Sequence, residues 1–201
     1  MKTWCNENGL VLNAEKTKSM FVSKKGKKAS SDCTGLLSSE MKFLGVIFNQ
    51  ECNWKSHVLH LARVTSKLTY ILRELKQFLP KQLLIRIYYA IIRSRLEYSN
   101  AVFVGMSKGE ASKLERIQRR CHKIICGKNC TCNAFPPLEI RRLNKALHMF
   151  QEMRNPHNII HHLAPPMLPH GKRLTLFPSK SQRRLNTFIP FCTQYMNNKP
   201  L

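Results

Sequence analysis

Aspartate occurs once in the 201 residues, at Asp32, inside the stretch SSDCTG. Two-metal phosphoryl transfer needs at least two convergent carboxylates on rigid backbone, and the ten glutamates are scattered along the chain rather than paired. There is also no glycine-rich phosphate loop, no G-x-S-x-G turn and no H-E-x-x-H helix, so none of these nucleotide-binding, hydrolase or protease signatures is present. Long apolar runs are missing as well. The most apolar segment, LLIRIYYAII, is broken by Arg86 and followed by Arg93, far short of a bilayer span. The first ten residues lack the apolar core of a signal peptide, so no membrane partner is expected.

The shortage of acids is the strongest global feature. Against 34 Lys+Arg stand 11 Asp+Glu, a formal charge of +23. A surplus of that size repels itself in the folded state unless a polyanion lies against it, which points first to nucleic acid. Hydrophobic residues make up 43% of the chain, enough to bury a core, and the length suits one ordinary domain or two small ones.

Eight cysteines, without secretory features, suggest a reduced intracellular compartment, the nucleus included. Cys126, Cys130 and Cys132 can be drawn with His122 as a zinc site. The Cys-X-Cys spacing is not that of a zinc knuckle, and no second clean pair follows. The plainer reading is small apolar residues on and after a helix, and no metal is expected.

Three parts are legible along the chain. Residues 1–53 mix a short helix end with strand-like runs, VLN, SMFV and MKFLGVIF, separated by turn formers. From 54 to 127 the period becomes helical. Leu61, Val64, Leu68, Ile71, Leu75 and Phe78 form one apolar stripe ended by Pro80, and Leu84, Ile87, Ile91 and Tyr98 form another. Ser107 to Glu110 reads as a capping box opening a third helix, with Leu114, Ile117, Cys121 and Ile124 as its stripe and Gly127 as its closing residue. Residues 128–201 hold a fourth stripe, Ile140, Leu143, Leu147 and Phe150, and nine of the ten prolines of the chain lie at or after Pro136. That tail is expected to be irregular. The fold class expected is mainly α with a small N-terminal α+β part.

The polar faces of the predicted helices carry one sign. His60, Arg63 and Lys67 sit three and four apart on the first, and Lys113, Arg116, Arg119, Arg120 and Lys123 crowd the third. A solvated face is the bland alternative, but such faces alternate sign to gain ion pairs, and here acids are too few. These cations are therefore candidates for phosphate contact, which positions a duplex without reading its bases. His157, His161 and His162 form a local group without a clear acidic partner; loop solvation or capping accounts for them better than catalysis.

Five fragments in order, WCNENGLVLNAEKTKSMF, MKFLGVIFNQECNWKSHV, LRELKQFLP, YYAIIRSRLEYSNAVFVG and LERIQRRCHKIICG, resemble the reverse transcriptases of non-LTR retrotransposons of the LINE and jockey-like class, in the part after the aspartate-bearing strand. The tail RRLNTFIPFCTQYMNNKP resembles the basic Asn-Ser-Phe-Ile-Pro ending of that family, with Met196 and Lys199 departing from its usual tryptophan and leucine. The resemblance implies that residues 1–53 are a partial palm, that 54–127 are a thumb-like helical bundle along the primer-template duplex, and that 128–201 are a C-terminal helix and Pro/His-rich tail. It implies that Lys16 lies on the pyrophosphate side of an incoming nucleotide, with Lys18 ordering the turn and contacting nucleic acid. It further implies that Phe43, Leu44 and Gly45 resemble the primer grip, although a plain hydrophobic hairpin with a glycine bend explains them equally well. The Ala-Asp-Asp strand has no counterpart in this chain. Mg²⁺ would serve only the intact family enzyme, so the expectation is a truncated RNA-directed DNA polymerase fragment without cofactor or activity of its own. The expected partners are RNA, DNA or an RNA-DNA hybrid, and the rest of a retroelement polymerase. The alternative is a domesticated basic helical module that binds nucleic acid or protein independently of reverse transcription.

Overall fold

The structure, a computed structural model, describes residues 2–11, 13, 17–22, 38–128, 130, 134–176, 178, 179 and 181–198. It is mostly helical with one small two-stranded antiparallel sheet, and the chain divides into two compact units, Met1–Ser56 and His57–Leu201. Among the described residues no helix is long and apolar enough to cross a membrane.

The first unit holds helix α1 (Lys2–Glu7) and a hairpin of β1 (Glu40–Phe43) and β2 (Val46–Asn49). Phe43 pairs with Val46, so the loop is the dipeptide Leu44-Gly45. Both loop residues have positive φ, 45° and 83°, as a two-residue hairpin of matching twist requires. Gly45 adopts that conformation freely. Leu44 adopts it against the preference of its Cβ. Val46 is buried while Phe43 and Leu44 are exposed, 59% and 75%, so the hairpin anchors through its second strand and offers its tip to solvent. Asn53 takes the Lys55 N–H at 3.1 Å, capping the start of α2 (Lys55–Leu75).

In the second unit α2 buries His57, Val58, Leu61, Thr65, Thr69 and Leu72. The core face is thus shifted from the expected stripe: Ile71 and Phe78 are 51% and 79% exposed. Two threonines take their place because each hydroxyl donates to the carbonyl four residues back, Thr65 to Leu61 at 2.6 Å and Thr69 to Thr65 at 2.7 Å, which removes the cost of burying it. The next segment runs α3 (Lys81–Ile87), a π-helical stretch (Tyr88–Arg93) and α4 (Ser94–Leu96) without a break. Leu84, Tyr88, Ile92 and Leu96 form its buried line, while Ile91 and Tyr98, expected there, are exposed. A wider i→i+5 turn keeps residues four apart on one face, a phase that a count of α-helical spacings does not anticipate.

Helix α5 (Lys108–Cys126) opens with the expected capping box, Ser107 and Glu110 each taking the other's backbone N–H. Its core face is Leu114, Gln118, Cys121 and Ile125. Gly127, at φ 88°, donates its N–H to Lys123 and turns the chain out of the helix. Helix α6 (Leu138–Met153) buries Leu138, Arg142, Ala146, Phe150 and Met153, with Ile140 exposed and Leu143 and Leu147 half-buried.

Between Met153 and Gln182 the described tail is irregular, as expected, apart from the 3₁₀ turn His161–Leu163 and an isolated bridge between Met167 and Leu174, but its end is helical. It forms α7 (Gln182–Leu185) and α8 (Phe188–Asn198), and α8 packs on α6 through Cys192, fully buried, and through Phe188 edge-on to Phe150 at 6.3 Å. Pro190 falls in the first turn of α8, where a missing N–H costs no helical hydrogen bond. Asn197 holds both the N–H and the carbonyl of Leu174, at 2.8 and 2.9 Å. At Gly105 an added Cβ would lie 2.0 Å from the Asn186 carbonyl oxygen, so the turn after α7 rests directly on a buried glycine backbone.

Candidate nucleic-acid interface

Among the described residues, helix α5 carries the most closely grouped exposed cations. Its leucine, glutamine, cysteine and isoleucine line faces the core, which leaves Arg116, Arg119, Arg120 and Lys123 exposed on the other side and Lys113 half-buried beside them. Their spacing of three, one and three residues groups four cations on one face over ~10 Å of helix.

What makes this face unusual is the placement of the acids of α5. Glu110 is taken up by the capping box. Glu115 points inward: one oxygen takes the Gln118 amide at 3.1 Å and the other takes the Leu138 N–H at 3.0 Å. Among the described residues, Arg116, Arg119, Arg120 and Lys123 form no ion pair, and the side-chain contact shown for Arg116 is a 3.4 Å donation to the Ser112 carbonyl. The cations are therefore held at fixed spacing by the helix and are not neutralised by it.

The helix itself is fixed by a buried polar chain. Tyr88, fully buried, donates to Gln118 Oε1 at 2.7 Å, and Gln118 Nε2 donates to the Pro136 carbonyl at 2.9 Å. Burial drives the phenol far above its ordinary range, so it remains a donor at all ordinary pH. Thr69 Oγ1 and Cys121 Sγ meet at 3.5 Å where α2 crosses α5. Burial pushes the Cys121 thiol up, which keeps it protonated in that apolar contact.

On α2, Arg63 and Lys67 are exposed and His60 is half-buried. By helical spacing these lie away from Thr69, so the ridge of α2 and the ridge of α5 are separate surfaces joined through the same core. In the first unit Lys18 is exposed, and Phe43, Leu44 and Gly45 form the hairpin tip described above. Lys16 and Asp32 lie outside the described residues.

Two further groupings stand out: one that the sequence reading did not name, and the His122 and cysteine group that it drew as a zinc site and set aside. Glu97 receives Arg93 Nε at 3.0 Å and Arg141 through two bonds, one of them Nη2 at 2.9 Å, and Arg93 also lies 4.6 Å over the Tyr89 ring. Burial pushes the Glu97 carboxyl up, but the two guanidiniums outweigh it and hold the group below its ordinary value. The i,i+4 spacing of Arg93 and Glu97 was readable; the arrival of Arg141 from α6 was not. The histidine and cysteines of the α5 terminus are the second grouping: the ligating atoms of His122, Cys126 and Cys130 all lie within 4.8 Å of one another. Cys132 lies outside the described residues. His157, His161 and His162 are all exposed; His161 and His162 belong to the 3₁₀ turn His161–Leu163.

In comparisons with known proteins, no family model, curated protein or solved structure matches the chain.

Proposed function

We propose that the chain is a nucleic-acid-binding palm-and-thumb fragment of the non-LTR reverse transcriptase type, inactive as a polymerase by itself, whose α5 face lies against the phosphates of a primer-template duplex. The observation that carries the reading is the capped helix with four exposed cations whose own two acids are both engaged elsewhere. A merely soluble face gains from intrahelical pairs, yet Glu115, four residues before Arg119, is engaged by Gln118 and Leu138 instead. The exposed apolar hairpin tip suits contact with a primer end, and Lys18 in the same unit suits a phosphate. With a single aspartate in the chain, the two-metal clamp has no evident partner carboxylate.

Binding to an RNA-DNA hybrid, followed by fluorescence anisotropy at rising salt, tests the reading. The expected result is an affinity that falls steeply with salt and depends little on sequence. Affinity that stays flat with salt overturns it. In a primer-extension assay with Mg²⁺ or Mn²⁺ the expected product is none, and template-dependent incorporation that survives controls for contaminating polymerase overturns the inactive assignment.

A further inference from the structure

We propose that His122, Cys126 and Cys130 form a binding site for a soft divalent metal ion, zinc by preference, at the C-terminus of α5. The site is independent of the nucleic-acid reading. His122 and Cys126 are one helical turn apart and so project from the same face, the i,i+4 relation that lets one helix supply two ligands. Gly127 then turns the chain, and Cys130 comes back toward that face. The resulting atoms lie within 4.8 Å of one another; tetrahedral zinc with sulfur at ~2.3 Å and nitrogen at ~2.0 Å sets its ligands roughly 3.5 Å apart, so closure needs only side-chain adjustments of about 1 Å.

The surroundings support the same chemistry. The Phe135 ring lies 4.9 Å from the His122 ring and 4.7 Å from that of Tyr88, and the Tyr89 hydroxyl donates to the Ala134 carbonyl. Ala134 and Phe135 are thereby held beside the histidine, and the ring contact restricts its orientation. The last carbonyls of α5 give the site the negative end of a helix dipole, which favours a cation. Two thiolates and a neutral imidazole balance a divalent charge inside a chain that otherwise carries +23, and thiolates select zinc-like ions over magnesium or calcium. Lys81 Nζ, 3.9 Å from Cys130 Sγ, is placed to donate to a metal-bound sulfur as an outer partner. All three residues are half-buried, shielded yet reachable by an ion. A spacing rule based on Cys-X₂-Cys pairs misses the site because one pair is made by a helix turn and the third ligand by a glycine-directed return.

Cobalt(II) titration of the purified chain under reductant tests the site. The expected result is one equivalent bound, with thiolate-to-cobalt charge-transfer absorption and tetrahedral ligand-field bands, both removed by zinc. In the C126S/C130S double variant, apparent affinity should fall by at least about 100-fold, since losing even an outer partner of a metal ligand costs 10–100-fold. The Cys52→Ser variant should behave as the parent. Should the double variant lose helicity by circular dichroism, His122→Cys decides: it keeps three donors and should strengthen the charge-transfer band. No thiolate band in the parent, or the same band in a folded C126S/C130S variant, overturns the proposal.

Discussion

Replacing Tyr88 with phenylalanine removes one oxygen from the fully buried chain that fixes α5, and the partner left behind, Gln118, is itself 3% exposed. Gln118 Oε1 then has neither its phenol nor water, a loss of about 1–3 kcal/mol for a buried acceptor. For a chain of this size each kcal/mol lowers Tm by roughly 2–4 °C, so a fall of about 2–12 °C is expected. Gln118→Leu should cost at least as much, because it orphans the phenol and also gives up the bonds to Glu115 and Pro136. The double variant removes both ends of the 2.7 Å bond and should be less destabilised than the sum by about 1–2 kcal/mol. Urea unfolding followed by circular dichroism measures all four corners of the cycle. Additivity within about 0.5 kcal/mol would refute the claim that the two groups act as a buried pair.

Gly105→Ala should destabilise by about 2 kcal/mol or more, since the added carbon meets the Asn186 backbone 2.0 Å away; a thermal melt equal to that of the parent contradicts the docking of the tail. Glu97→Gln should cost about 1–2 kcal/mol at pH 7 in a denaturant titration, discounted for the one-third exposure of Arg141. Because the folded Glu97 carboxyl lies below its ordinary 4.5, its contribution is complete above that value and disappears as pH falls further, so parent and variant should converge in acid; a constant gap contradicts the pairing. Burial, aided by His60, holds His57 below its ordinary 6.5, so the unfolded chain takes up that proton first and stability should begin to fall as pH drops below 6.5; His57→Gln, if folded, should lack that component.

The parts of the fold readable in the sequence were those encoded by residue type at fixed spacing. The Ser107 and Glu110 capping box is of this kind, whereas the hairpin around Leu44-Gly45 lies within what was read as one strand-like run and was anticipated only through the family resemblance. Helix faces were read a step out of phase because counting apolar residues assumes that the core is apolar, whereas His57, Thr65, Thr69, Gln118 and Arg142 lie on buried faces here. The threonines satisfy themselves locally, and Gln118 is satisfied by Tyr88 and Pro136, partners 30 and 18 residues away that no local window contains. The π-helical turn shifted the phase again from Tyr88 onward. Prolines in the tail suggested irregularity, but one in a first turn is compatible with α8. The cations of α5 were visible as a run of charge; that their neighbouring acids face elsewhere was visible only in three dimensions.

The central claim is that fixed cations on α5, rather than net charge, bind the duplex. It is tested most directly by replacing Arg116, Arg119, Arg120 and Lys123 with glutamine and, in a second variant, Lys24, Lys25, Lys27 and Lys28, which removes the same formal charge. Glutamine keeps helix propensity, so α5 should persist by circular dichroism. Salt-dependent anisotropy with an RNA-DNA hybrid should show the α5 variant losing more affinity and about 3 units of salt slope. Equal losses in two folded variants would contradict the account.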